Sequence, residues 1–254
     1  YFLVQALAAS MILFACTLNA WQTGLWSTTN QTPTTTAIIT MAALMKLGAA
    51  PTHLWYPDVL QGTTLNTALL LSTWQKLAPL ALLYMMHTNL PTNLLLLTGL
   101  LSTLLGGWAG LNQTQTRKIM AHSSIAHMGW ILIALTTNPQ LTTLTMMTYV
   151  VMTAAMFFTL NTYTTKTISD MGTIWSMSPT TMTLTLLTLT SLGGLPPLTG
   201  FMPKLLILNE LTTKPLLTFT TTLALASLPS LFFYIRMAYT TTLTTPPNTT
   251  NTEH

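Results

Sequence analysis

The stretch Met41–Trp55, MAALMKLGAAPTHLW, decides the reading of this chain, because it sets one lysine, Lys46, inside a run otherwise apolar enough to cross a lipid bilayer. No Asp, Glu, Lys or Arg occurs from Tyr1 to Met45. An ammonium at mid-bilayer depth costs roughly 2.5–3.5 kcal/mol on insertion scales, so a lysine placed there points to function first. Two more lysines repeat the pattern: Lys76 in STWQKLAP, and Lys204 after the double-proline sequence GGLPP. Prolines stand beside all three, at Pro51, at Pro79, and at Pro196 with Pro197. Proline removes a backbone donor and clashes with the preceding turn, which frees carbonyls to meet a cation or water. Interrupted helices next to buried charges are how ion transporters build sites at the bilayer midplane.

Composition supports a polytopic membrane protein. Charged residues make up 5 % of the 254 positions and hydrophobic ones 50 %, and the mean hydropathy is +0.52; soluble domains carry about 25 % charge. Much of the remainder is threonine, which can bond back to its own helix and so costs little in lipid. The net charge of +4 sits on few groups, and no basic run exceeds the pair Arg117 and Lys118, so no nucleic-acid partner is expected. The single cysteine, Cys16, allows neither an intrachain disulfide nor a thiolate metal site and reads as a packing residue. The chain opens inside an apolar run, with no basic leader or cleavage site, and is read as a piece of a longer protein.

Eight windows of about 20 apolar or hydroxyl-bearing residues are long enough to span the hydrocarbon: 1–20, 37–55, 64–86, 92–111, 118–136, 141–162, 180–212 and 216–239. Polar or proline-bearing punctuation separates them. The seventh would make a helix of about 50 Å against a bilayer core of about 30 Å, and Gly193, Gly194, Pro196 and Pro197 lie near its middle. Two half-helices joined by irregular backbone, with Lys204 in the second, resolve the excess; a kinked structural helix is the alternative. Alternating the loops puts Arg117, Lys118, Lys166 and Arg236 on one side against Lys214 on the other. The positive-inside rule then turns the first side, where the chain begins, to the cytoplasm or the mitochondrial matrix. Trp21, Trp26, Trp55, Tyr56, Trp108 and Tyr239 fall at expected span ends, as an interfacial aromatic belt requires.

Among candidate proton carriers, Lys46 and His53 are seven residues apart and share a helix face unless Pro51 turns the second half away. His122 and His127 share one span with Ser123 and Ser124, in AHSSIAHMGW. Their five-residue spacing is a poor metal pair and no carboxylate accompanies them, so no metal is expected. His127 suits a hydroxyl-and-imidazole water path, while His122 is placed nearer the interface. Acids are scarce: Asp58 and Asp170 read as loop residues, Glu210 is near the end of the interrupted span and Glu253 is in the tail. A fixed partner for Lys46 therefore cannot be named from this chain. No glycine-rich nucleotide loop, Ser/His/Asp set or paired cysteines occur, so neither a nucleotide nor a redox centre is expected on it.

Taken together and in order, MAALMKLGAAPTHLW, STWQKLAP, RKIMAHSSIAHMGW and GGLPPLTGFMPK resemble the subunit 2 family of vertebrate mitochondrial NADH:ubiquinone oxidoreductase, respiratory complex I. The resemblance implies an all-α, antiporter-like membrane subunit of inverted five-helix repeats, each with one discontinuous helix. Residues 1–254 would be one transmembrane domain, truncated at both ends, with breaks near 37–55 and 180–212 and about eight of eleven helices. It implies proton translocation across the mitochondrial inner membrane, with Lys46, Lys76 and Lys204 as the proton relay and His53 and His127 on the same hydrophilic axis. NADH, FMN, iron-sulfur clusters and ubiquinone would be bound by other subunits, and the partners would be neighbouring membrane-arm subunits and lipid. The family's glutamate partner would precede Tyr1. Leu205 and His122 stand where the family commonly has aromatics, which touches local packing. A free-standing cation/proton antiporter and a non-pumping scaffold are the alternatives.

Overall fold

The computed structural model describes residues 1–26, 31–173 and 178–243. Glu253 lies outside them. The described residues form eleven α-helices: α1 (Phe2–Thr23), α2 (Pro33–Leu47), α3 (Trp55–Gly62), α4 (Leu65–Ser72), α5 (Trp74–Met85), α6 (Thr92–Gly110), α7 (Thr116–Thr137), α8 (Pro139–Thr162), α9 (Pro179–Gly193), α10 (Phe201–Thr213) and α11 (Leu217–Leu243). Of these, α1, α6, α7, α8 and α11 are long and apolar enough to cross a membrane unaided. Taken in sequence order the other six pair as α2 with α3, α4 with α5, and α9 with α10, which is close to the expected eight, although α3 begins only at Trp55, where the 37–55 window ends.

Local chemistry sets the ends. Pro33 and Pro179 open α2 and α9, where a missing N–H costs nothing. Asn138 caps α8 by accepting from the N–H of Gln140 at 3.0 Å. Gly48 ends α2 at φ 70° and Gly194 ends α9 at φ 81°, left-handed backbone that glycine adopts without strain. Threonine hydroxyls bond back along their own helices, as Thr153 does to the Tyr149 carbonyl at 2.7 Å and Thr185 to that of Met182 at 2.7 Å. Hydroxyls paired in this way cost little inside lipid-facing helices.

Helix α7 is the axis of the molecule. It supplies Ile119, Met120 and Ile125 to one apolar cluster, Met128, Ile131 and Leu132 to a second, and Trp130, Ile133 and Ala134 to a third. Its tightest neighbour is α6: a Cβ on Gly129 would lie 2.5 Å from the Gly99 carbonyl oxygen, and one on Gly106 would lie 2.7 Å from the Ala126 nitrogen. Backbones in such contact exploit dispersion, the attraction left to helices in lipid. Outward faces carry Leu13, Phe14, Leu97, Met147, Val151, Phe158, Leu225 and Phe232, all exposed.

Charge separates to the two ends of α7. At its start, Arg117 donates to the carbonyls of Gln61 and Thr63, Lys166 lines the same cavity, and Arg236 donates to the carbonyls of Leu111 and Gln113. At its far end, Lys214 reaches the carbonyls of Thr136 and Thr137. The division expected from loop counting is thus present. Trp21, Trp26, Trp108 and Tyr239 are exposed, whereas Tyr56, expected in the interfacial belt, is buried. Asp58, expected in a loop, lies in the first turn of α3.

Candidate functional site

Lys76 sits at the centre of the protein at 2 % exposure. The helix that carries it begins anew at Trp74, after a disturbed residue, Thr73, at φ −114° and ψ −70°. The Lys76 ammonium donates to the Ser124 hydroxyl and lies 3.4 Å from the Tyr149 hydroxyl. It also stands 4.6 Å from the centre of the Tyr56 ring and 5.4 Å from that of Tyr149. Ser124 donates to the Tyr56 hydroxyl at 3.1 Å, and Tyr149 donates to the Ser72 carbonyl at 2.9 Å, so the box is cross-braced from α3, α4, α7 and α8. No carboxylate is among these neighbours. Ring faces and hydroxyls take its place, and a desolvated cation over a ring gains about 2 kcal/mol.

Tyr149 joins this box to a second one. Its ring lies 5.6 Å from that of His127, and His127 Nε2 is 3.4 Å from the Tyr234 hydroxyl. A small cavity of about 20 Å³ is lined by His127, Thr145, Thr148 and Lys204, among others, and one of about 10 Å³ by His127, Lys204, Ser230 and Tyr234. A cavity of roughly 10–15 Å³ with polar partners is enough for one water. Lys204 and His127 therefore share a small space of mixed lining, at the place where α9 and α10 part.

The break between α9 and α10 holds Lys204 in position. Its ammonium donates to the carbonyl of Gly193, the last residue of α9, at 3.0 Å and stands 6.0 Å from the Trp130 ring. A cation at a helix C-terminus is favoured by the unpaired carbonyls there. The chain then turns back so closely that a Cβ on Gly200 would lie 1.9 Å from the Ser191 oxygen. The sequence GGLPPLTG reads out in space as expected: two half-helices and a lysine at the gap.

Lys46 and His53 are not brought to this row. The expected shared helix face does not exist, because α2 ends at Leu47 and residues 48–54 form turns before α3. Lys46 instead lines a cavity of about 240 Å³ with Gln5, Gln75, Pro79 and Leu82, between α1, α2 and α5. Gln5 Nε2 is buried there without a partner. His53 is buried in the turn with an unpartnered Nδ1, and so is His122 on α7; the two imidazoles lie within electrostatic reach of each other. His122, early in α7 and within electrostatic reach of Lys118, is 7 % exposed.

Sequence reasoning missed Tyr56, Tyr149 and Tyr234, and Ser124 was noticed only as a companion of the histidines. Tyr149 and Tyr234 interrupt apolar runs, TMMTYVVMT and SLFFYIRM, as single phenols. A buried tyrosine hydroxyl needs a partner, so each was a signal available from the chain.

Residues 1–229 match the family described as NADH:quinone oxidoreductase/Mrp antiporter, TM, and residues 231–254 match NADH dehydrogenase subunit 2 C-terminus. The chain is 56 % identical over 252 residues to NADH-ubiquinone oxidoreductase chain 2 of Carassius auratus, covering 99 % of this chain and 72 % of that one. Among solved structures, it superposes on a chain of respiratory complex I from Thermus thermophilus with bound Aureothin at TM-score 0.85 and 29 % identity, covering 95 % of this chain and 58 % of that one. A chain of the Mrp complex from Dietzia sp. DQ12-45-1b shares the fold at TM-score 0.84 and 16 % identity, over 94 % of this chain and 49 % of that one. With its interrupted helices, its interior lysines and these likenesses, the chain belongs to the NADH:quinone oxidoreductase/Mrp antiporter transmembrane family, among the chain 2 proteins of NADH-ubiquinone oxidoreductase.

Proposed function

We propose that this chain translocates protons as a membrane-arm subunit of NADH:ubiquinone oxidoreductase in the mitochondrial inner membrane, with its basic end toward the matrix. Electron transfer from NADH to ubiquinone takes place in other subunits, which hold the FMN, the iron-sulfur clusters and the quinone. Residues 1–254 act in this reading as one transmembrane unit.

The observation that carries the reading is the row Lys76, Tyr149, His127, Lys204. Lys204 can pass a proton to His127 through a water in the cavity they share. Tyr149 stands between His127 and Lys76, its ring against the first and its hydroxyl 3.4 Å from the second. Lysine, histidine and tyrosine each hold and release a proton without a metal or redox partner. Gln75 and Pro79, on the helix that carries Lys76, line the Lys46 cavity, and in this reading the path continues that way toward Lys46 and α1. His53, beside His122, would serve a separate approach from the α3 end.

The test is Lys76→Ala in the assembled complex of a close relative. The expected result is normal complex abundance on native gels, with NADH-driven proton translocation and coupled turnover both depressed about a hundredfold or more, the order of a lost acid–base group. Lost assembly with unchanged translocation in the residual complex would favour the scaffold reading. Normal assembly with normal translocation would remove Lys76 from the path.

A further inference from the structure

One sizeable cavity takes no part in the lysine row. It measures about 340 Å³, lies at the basic end of α7, and is lined by Gln61 from the end of α3, Gln115 and Arg117 from the start of α7, and Lys166 and Thr167 from the segment after α8. That volume is at the lower end of the range for small-molecule sites. Three separate chain segments thus converge two cations and two carboxamides on one space.

Positive charge is concentrated at the start of α7. Arg117 is pinned by its Nη1, which donates to the Thr63 carbonyl at 2.6 Å and the Gln61 carbonyl at 3.4 Å, while its Nε is buried with no partner. The first turn of α7 contains Arg117 and Lys118 and no acid, and Gln115 provides no side-chain cap. Helix starts favour negative charge, so two cations there repel the dipole unless an anion joins them. Arg236 adds a fourth cation at this end. Asp170 accepts from the backbone N–H groups of Lys166 at 3.1 Å and Thr167 at 2.8 Å and lies within electrostatic reach of the Lys166 charge, so it offsets part of that charge while folding the segment. Natural chains depart from local rules in this way chiefly where something binds.

We propose that this cavity binds a phosphate-bearing anion, with Arg117 and Lys166 as its charge partners and Gln61 and Gln115 as neutral donors. Planar guanidinium suits phosphate oxygens, and the ammonium of Lys166 adds a mobile point charge. The phosphate can come from the headgroup of an anionic phospholipid, since the cavity lies where the spans end, or from free phosphate in the adjoining water.

The experiment uses the whole complex in nanodiscs of phosphatidylcholine with a minor share of spin-labelled phosphatidylglycerol, with and without millimolar inorganic phosphate. Lys166→Gln and Lys166→Glu are the main variants, because the Lys166 side chain is exposed and its loss spares the core. Arg117→Gln is secondary, since that residue also braces α3. In the wild type, a fraction of the labelled lipid is held immobile; Lys166→Gln weakens that binding about fivefold and Lys166→Glu further, while Lys166→Arg restores it. Release of the label by inorganic phosphate assigns the site to free phosphate, and retention assigns it to the headgroup. Equal lipid immobilisation and equal phosphate response in the wild type and in Lys166→Glu overturn the proposal.

Discussion

The Tyr149 hydroxyl lies 3.4 Å from the Lys76 ammonium while donating to the Ser72 carbonyl at 2.9 Å. One phenol therefore holds the lysine, closes the joint between α4 and α5, and presents its ring to His127. Replacing Tyr149 by Phe keeps both ring contacts and removes the hydroxyl alone. The Ser72 carbonyl then loses its partner, at a cost of about 1–1.5 kcal/mol, and proton translocation falls by more than that loss of stability explains. Comparing the thermal transition of the complex with its proton yield separates the two effects.

Backbone contact between α6 and α7 leaves no room for added atoms. Gly129→Leu and Gly106→Leu push side chains into the opposing backbone and lower stability by about 1–3 kcal/mol or block assembly. Gly62→Ala is the control, because nothing lies within 4 Å of a Cβ there. Native gels and heat inactivation of the complex report the difference.

At Gly194 left-handed backbone and the Lys204 ammonium meet. The residue has φ 81°, and a Cβ on it would lie 2.9 Å from the Lys204 ammonium. Gly194→Ala adds about 1–2 kcal/mol of left-handed strain and moves Lys204 off the Gly193 carbonyl. Proton translocation is expected to drop in a complex that still assembles; a complex with unchanged translocation would detach Lys204 from the gap.

The segment after α8 should loosen in acid. Backbone N–H donation from Thr167, followed by that from Lys166 and the nearby Lys166 charge, holds the Asp170 carboxyl below its usual range. A carboxylate depressed in the folded state stabilises fully above its unfolded pKa of about 4 and is lost as pH falls through the lower folded value. Amide exchange at Thr167 should stay slow from neutral pH to about 4 and quicken below it. Asp170→Asn should remove that pH step.

Much of this architecture was legible because lipid leaves few options. Interior lysines, prolines and window lengths located the α9–α10 gap around Lys204, and loop charges divided the two ends of α7 as found. The Lys76 box was not legible: Tyr56, Ser124 and Tyr149 come from α3, α7 and α8, and periodicity within a helix says nothing about which faces meet. The Lys46–His53 register failed for a local reason, since it assumed a helix continuing through Gly48, which takes a left-handed turn at φ 70°. The burial of His122 was not legible for a tertiary reason, because Gly110 of α6 and Phe233 of α11 meet beside it at the start of α7.

The row from Lys204 to Lys76 stands or falls with its middle member. His127→Leu removes the imidazole and leaves an apolar filling of similar size, and protons moved per NADH oxidised can be measured in vesicles bearing the intact complex. A fully assembled complex whose proton yield and coupled turnover fall together by about a hundredfold or more is the expected result. A wild-type proton yield in His127→Leu would contradict the account.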